Sequence, residues 1–190
     1  MSWARENSSS SKKMVTGGMS ITQTRENWPP VVAAAVILPD GCQPAGLDDS
    51  KKLSAKRREV LCEEIRASAL HWGACAVSPA EIDRRNILRA TLWAMARSLR
   101  KLGACPELVL VDGLQTPDID IPALAVTRGD GRSAAIAAAS ILAKVFRDRI
   151  MQAFDRHYPG YGFAQHKGYG AAAHQEALRR LGPCALHRFS

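Results

Sequence analysis

Two aspartates stand at the ends of two short apolar runs, where a fold rather than local sequence must bring them together. Asp112 closes Val109-Leu110-Val111 and precedes Gly113. Asp130 follows Ala123-Leu124-Ala125-Val126, inside the polar string Arg128-Gly129-Asp130-Gly131-Arg132-Ser133. A carboxylate at the carboxyl end of a strand, next to glycine, stands where open α/β sheets place their ligands. Two such groups on adjacent loops suit a hard divalent cation, Mg²⁺ or Mn²⁺, which takes oxygen ligands and keeps waters for a substrate phosphate. The same residues admit a plainer account: Asp130 caps the helix that Ser133 opens, and Asp112 starts an ordinary Asp-Gly turn. On spacing alone the plainer account is preferred.

The elements that must position these acids are written in the apolar pattern. Val31 to Leu38 is a continuous apolar run of strand length, as in a strand covered on both faces. Ser54 is a natural N-cap, and the spacing of Val60, Leu61, Ile65 and Ala69 predicts a helix over Ala55 to Leu70, with Lys56-Arg57-Arg58 on its solvent face. Trp72 to Val77 reads as a strand. Ser78-Pro79-Ala80-Glu81 is a capping box with proline at the first helical position. Ile87, Leu88, Thr91, Leu92, Met95, Leu99 and Leu102 then mark one face of a helix running on to Gly103.

Beyond the second aspartate, the alanine-rich run from Ala134 predicts a closely packed helix from Ser133 to about His157, stopped by Pro159-Gly160. Asp148 lies in its interior, where an ion pair with a neighbouring arginine is favoured over metal binding. Tyr161 to Gly170 interleaves glycine, aromatic and basic residues, a composition suited to stacking on a sugar or base beside phosphate contacts. Tyr161 and Phe163 fit a loop pinned on the core better than Tyr169 does. Ala171 to Leu181 reads as a last short helix before Gly182-Pro183. The order of strands and helices, without repeats, indicates an α/β or mixed-sheet domain.

With 190 residues and 46% hydrophobic content, the chain is long enough for one well-buried domain and short for two. Twenty-six basic against eighteen acidic residues give +8, which favours a polyanionic partner, with nucleic acid the leading candidate. Cys42, Cys62, Cys75, Cys105 and Cys184 are scattered and show no C-x-x-C spacing, as expected of reduced residues in a cytoplasmic protein. No apolar run approaches the ~18 residues of a membrane span, and the N-terminus has no hydrophobic signal core. Met1 to Pro30 is foreign in composition to the rest, with Ser8-Ser9-Ser10-Ser11, Lys12-Lys13 and Gly17-Gly18. It is expected to be mostly disordered, with Met19-Ser20-Ile21-Thr22 a weak candidate strand. The ordered domain is expected over 31–190.

Several strings together closely resemble bacterial ribonuclease HII, of the type 2 ribonuclease H family. They are Leu110-Val111-Asp112-Gly113, Arg128-Gly129-Asp130-Gly131-Arg132-Ser133, Ala137 to Val145 with Arg147-Asp148-Arg149, Gly46 to Ser54, Tyr158 to Phe163, and His166-Lys167-Gly168-Tyr169-Gly170. The resemblance runs from Val31 to the C-terminus. It implies a ribonuclease H-like fold, a mixed sheet flanked by helices, with a helical C-terminal portion. It also implies cleavage of the RNA strand of RNA–DNA hybrids and incision at ribonucleotides embedded in duplex DNA, with Mg²⁺ or Mn²⁺. In such a site two metals held by four carboxylates activate water and stabilise the leaving 3′ oxygen. By family position Asp112 and Asp130 are metal-binding, catalytic carboxylates. Lys51 and Lys52 reach phosphates, and Tyr169 matches the tyrosine that packs on the deoxyribose beside the ribonucleotide. A monomer is expected.

The family pattern also carries Asp-Glu-Ala-Gly-Arg-Gly ahead of the Val31 strand, which supplies the other two acids and a turn that contacts substrate. Ungapped extension from Pro30-Val31 puts those acids on Ser20 and Ile21 and the turn on Gln23, Thr24 and Arg25. Three readings follow: an active endoribonuclease, a catalytically impaired relative that still binds hybrids, and the product of a damaged reading frame.

Overall fold

The computed structural model describes residues 15–18, 30–42, 44, 46–47, 53–167 and 170–188. Five strands form one mixed sheet: β1 (Val15–Gly18), β2 (Val31–Ile37), β3 (His71–Val77), β4 (Val109–Asp112) and β5 (Ala123–Val126). Their spatial order is β3-β2-β1-β4-β5. β1 runs antiparallel to β2 and parallel to β4, while β4 and β5 are parallel. Helices α1 (Ala55–Ser68), α2 (Pro79–Arg85), α3 (Ile87–Arg100) and α4 (Ala134–His157) cover the sheet, and α5 (Phe163–His166) and α6 (Ala172–Leu181) follow.

The unbroken apolar run of β2 is explained by its two covered faces. Val31, Ala33, Ala35 and Ile37 pack with Ala90, Ala94, Met95 and Leu99 of α3. Val32, Ala34 and Val36 pack with Leu61 and Ile65 of α1 and with Ala138, Ala139 and Leu142 of α4. Alternate residues of a strand point to opposite faces, so each face receives its own apolar set. The three central alanines of β2 are fully buried, and alanines of α3 and α4 face them. Small side chains on both partners allow a close helix–sheet approach, which is the packing reason for the alanine-rich sequence of α4.

Three sequence expectations are corrected. Within the segment read as mostly disordered, Val15–Gly18 forms the central strand of the sheet, paired with both β2 and β4. Backbone hydrogen bonding, which does not depend on side-chain polarity, fills that place, so the apolar alternation sought in the sequence is not its signature. The candidate strand at 19–22 lies outside the described residues. The helix expected to continue to Gly103 is interrupted at Asn86, whose φ of 67° separates α2 from α3. Asparagine tolerates positive φ better than most residues, and its side chain accepts the Arg89 N–H at 3.0 Å as the N-cap of α3. Arg58, expected on the solvent face of α1, has a side chain only 12% exposed, because it donates to the Leu53 carbonyl at 2.5 Å and turns toward Asp148.

The caps at Ser54 and Ser78 follow the sequence reading, each accepting a backbone N–H from three residues ahead. No helix among the described residues is long and apolar enough to cross a membrane.

Candidate active site

Asp112 is the last residue of β4, in register with Val126 at the end of β5. The chain leaves β4 through Gly113 at φ 141°, a value that glycine adopts readily. After β5 the backbone turns through Arg128 at φ 53° into a short 3-10 turn, Gly129–Gly131, with Asp130 at its centre. The Asp112 Oδ1 accepts a hydrogen bond from the Gly129 N–H at 2.9 Å. The acid at the end of one strand is therefore bonded to the residue immediately before the second acid. Asp130 Oδ1 accepts the Gly131 N–H at 3.0 Å. Both aspartates are half-buried.

The hydrogen bonds here bear on both accounts of the aspartates. Ser133, not Asp130, caps α4, its Oγ accepting the Ile136 N–H at 3.5 Å. Asp112 does more than start a turn, because its carboxylate reaches across to the neighbouring loop. Gly129, which the sequence reading did not single out, is buried beneath this contact. A Cβ there would run into Ile136 Cδ1 and lie 3.5 Å from Asp112 Oδ1. Its sequence signal was its place directly before Asp130, in a string where glycines flank the acid on both sides.

The donor set fits a hard divalent cation. A carboxylate offers about four lone-pair sites, so an oxygen that accepts one N–H retains capacity for a metal. Among the described residues no three His, Cys, Asp or Glu side chains converge. A carboxylate pair matches the way Mg²⁺ is held, by one or two carboxylates with waters and substrate phosphates completing the shell. Exposed Arg128 and Arg132 flank Asp130 in sequence. Lys51, Lys52 and Tyr169 lie outside the described residues.

Asp148 is not part of this pair. Its carboxylate contacts Lys144 Nζ at 2.8 Å and lies 3.8 Å from both Arg58 and Arg147. The closest partner is thus a lysine one helical turn away, with two arginines behind it. Tyr161 and Phe163 are buried and stacked, ring centroids 5.3 Å apart, and the Tyr161 hydroxyl donates to the Gly182 carbonyl at 2.7 Å. They pin the loop to the core, as their composition indicated.

The family profile described as ribonuclease HII matches residues 28–190. The chain belongs to the ribonuclease HII family. It is 53% identical over 159 residues to the ribonuclease HII of Syntrophotalea carbinolica, a match covering 84% of this chain and 76% of the relative. The ribonuclease H2 of Pyrococcus horikoshii OT3 has the same fold, with a TM-score of 0.74 at 22% identity, covering 92% of each chain. Bst-RNase HIII in complex with Mn²⁺ also shares the fold, with a TM-score of 0.73 at 18% identity, covering 93% of this chain and 65% of the other. Membership of the ribonuclease HII family makes this an α/β ribonuclease H-like fold with ribonuclease H endonuclease function, a hydrolase of phosphodiester bonds. Of the three readings the sequence left open, these findings support the endoribonuclease.

Proposed function

We propose that this chain cuts the RNA strand of RNA–DNA hybrids and incises duplex DNA at embedded ribonucleotides, with Asp112 and Asp130 as its metal-binding, catalytic carboxylates. The observation that carries the assignment is the hydrogen bond from Gly129 N–H to Asp112, which holds the two acid-bearing segments together at the carboxyl ends of β4 and β5. A fold relative binds Mn²⁺, and the oxygen-only donor pair suits Mg²⁺ or Mn²⁺ here.

When bound, such an ion supplies activation of the attacking water and stabilisation of the leaving 3′ oxygen. Asp112 and Asp130 would hold it, and the Gly129 and Gly131 amides orient the carboxylates by donating N–H hydrogen bonds to them. Lys51 and Lys52 neutralise phosphates of the substrate, and Tyr169 packs on the deoxyribose beside the ribonucleotide. Discrimination of RNA from DNA rests on the 2′-OH. The domain comprises 31–190 together with the β1 strand. Its five cysteines, free of disulfides, suit a reducing cytoplasm, and a monomer accounts for the site, since both acids come from one chain.

Titration calorimetry with Mn²⁺ tests the assignment of the acids. Heat is expected from the wild-type chain and its loss from the Asp112→Asn, Asp130→Asn double variant; identical heats would move the metal elsewhere.

A further inference from the structure

A buried carboxylate that takes no part in the metal pair stands between two backbone anchors. Asp148 is 8% exposed, in the middle of α4. Charged groups are placed at such a position only with partners, and three cations meet it: Lys144 at 2.8 Å, and Arg58 and Arg147 at 3.8 Å each. The two arginines use their forks alike. Arg58 turns Nη2 toward Asp148 and donates from Nη1 to the Leu53 carbonyl at 2.5 Å. Arg147 turns Nη1 toward Asp148 and donates from Nη2 to the Lys167 carbonyl at 3.0 Å. At 3.8 Å the contacts with Asp148 are ion pairs without a hydrogen bond, and each guanidinium gives its hydrogen bond to the carbonyl while its charge faces the carboxylate.

The two anchored carbonyls are not arbitrary points on the chain. Leu53 directly follows Lys51-Lys52, and Lys167 directly precedes Gly168-Tyr169. Lys167 holds a left-handed φ of 51°, a conformation that a non-glycine residue keeps only where its surroundings impose it.

We infer that Asp148 is a positioning residue for substrate: through Arg58 and Arg147 it fixes the backbone at the borders of both nucleic-acid-binding segments and ties them to the same turn of α4. The inference rests on the substrate reading proposed above for Lys51, Lys52 and Tyr169. A contact of that kind acts on bound substrate and transition state alike, so its loss raises KM and leaves kcat in place. Lys144, one turn away on the same helix, pairs with the same carboxylate at 2.8 Å.

The experiment compares the full chain with Arg58→Met, Arg147→Met and Asp148→Asn variants, by amide hydrogen exchange and by steady-state cleavage of an RNA–DNA hybrid. Arg58→Met is expected to speed exchange around Leu53 only, and Arg147→Met around Lys167 only. Each should raise KM about tenfold, the factor set by losing one charge-assisted hydrogen bond, with kcat within about twofold. Asp148→Asn should loosen both borders. If Asp148→Asn does not fold, the two arginine variants decide alone. Wild-type exchange at both borders in both arginine variants, or equal loosening of both borders by either one, would overturn the inference. A wild-type chain that cleaves no hybrid would instead refute the substrate reading, and the exchange pattern would still decide whether Asp148 links the two borders.

Discussion

The Asp112 carboxylate accepts the Gly129 amide at 2.9 Å, so the end of β4 and the turn that carries Asp130 are held as one unit. Gly129 makes this possible because it has no side chain. A Cβ there meets Ile136, which is fully buried at the start of α4 and cannot swing aside.

Gly129→Ala is therefore expected to destabilise the fold by ~1–3 kcal/mol, the usual cost of overpacking, and to weaken Mn²⁺ binding by displacing Asp112. Removing the offending methyl with Ile136→Val in the same chain should recover part of both losses. Denaturant melts and metal titration on the single and double variants check this. A Gly129→Ala chain with wild-type metal affinity would show that the bond to Asp112 does not organise the site.

How much of this arrangement was legible beforehand differs from residue to residue. Continuous apolar runs placed β2, β4 and β5, and the alanine-rich run with its Pro159-Gly160 stop placed α4, each within a residue or so, since these patterns reflect local burial and local chain stops. Asp112 and Asp130 could be named, but their spacing could not decide between a turn with a cap and a metal pair. The contact that ties Asp112 to the loop of Asp130 is made to Gly129, seventeen residues away, and no local pattern encodes it. Asn86 was missed because an amphipathic stripe continues through a break that only a backbone angle reveals. Arg58 was misplaced because its partner Asp148 is distant in sequence. β1 was missed because a central strand containing two glycines has no apolar alternation to read.

β1 is paired along its length with β2 and alongside β4. Deleting residues 1–18 would leave two central strands with unpaired edges, costly where buried and a template for aggregation where exposed. The truncated chain is expected to melt at least ~10 °C lower, the shift that a loss of about 3–4 kcal/mol gives in a domain of this size, and to aggregate at concentrations where the full chain scatters no more light than its buffer. Equal melting and equal light scattering would mean that β1 does not support the sheet.

His187 is buried beside His174, with Nε2 atoms 3.2 Å apart, and its Nδ1 accepts the Cys184 N–H at 2.9 Å. That N–H makes Nδ1 an acceptor, so the neutral ring donates from Nε2. Burial holds the His187 pKa below its ordinary 6.5, against the smaller opposing effect of the Cys184 backbone. With the folded value depressed, the unfolded chain binds more protons as pH falls through 6.5. The contribution is fully present above 6.5 and is lost as pH falls toward the folded value. Wild-type Tm should drop between pH 7.5 and 5.5 by more than that of His187→Gln; equal drops would assign the acid sensitivity elsewhere.

Nucleic-acid affinity should fall steeply with salt, because phosphate neutralisation releases counterions. In a plot of log affinity against log salt, Lys51→Ala with Lys52→Ala should reduce the slope by roughly 2, about one for each phosphate contact. Fluorescence anisotropy with a labelled hybrid, in a buffer without divalent metal, gives that slope. A double variant with the wild-type slope would exclude these lysines from the interface.

The most direct test of the central claim is cleavage of a labelled DNA duplex carrying one embedded ribonucleotide, in Mg²⁺ and in Mn²⁺, by the full chain and by Asp112→Asn and Asp130→Asn. The full chain is expected to incise at the ribonucleotide and to require the metal. Each variant should be slower by about 10³-fold or more, a loss of ~4 kcal/mol of transition-state stabilisation. Incision by either variant at the wild-type rate, or no incision by the full chain with either metal, would contradict a catalytic site built on Asp112 and Asp130.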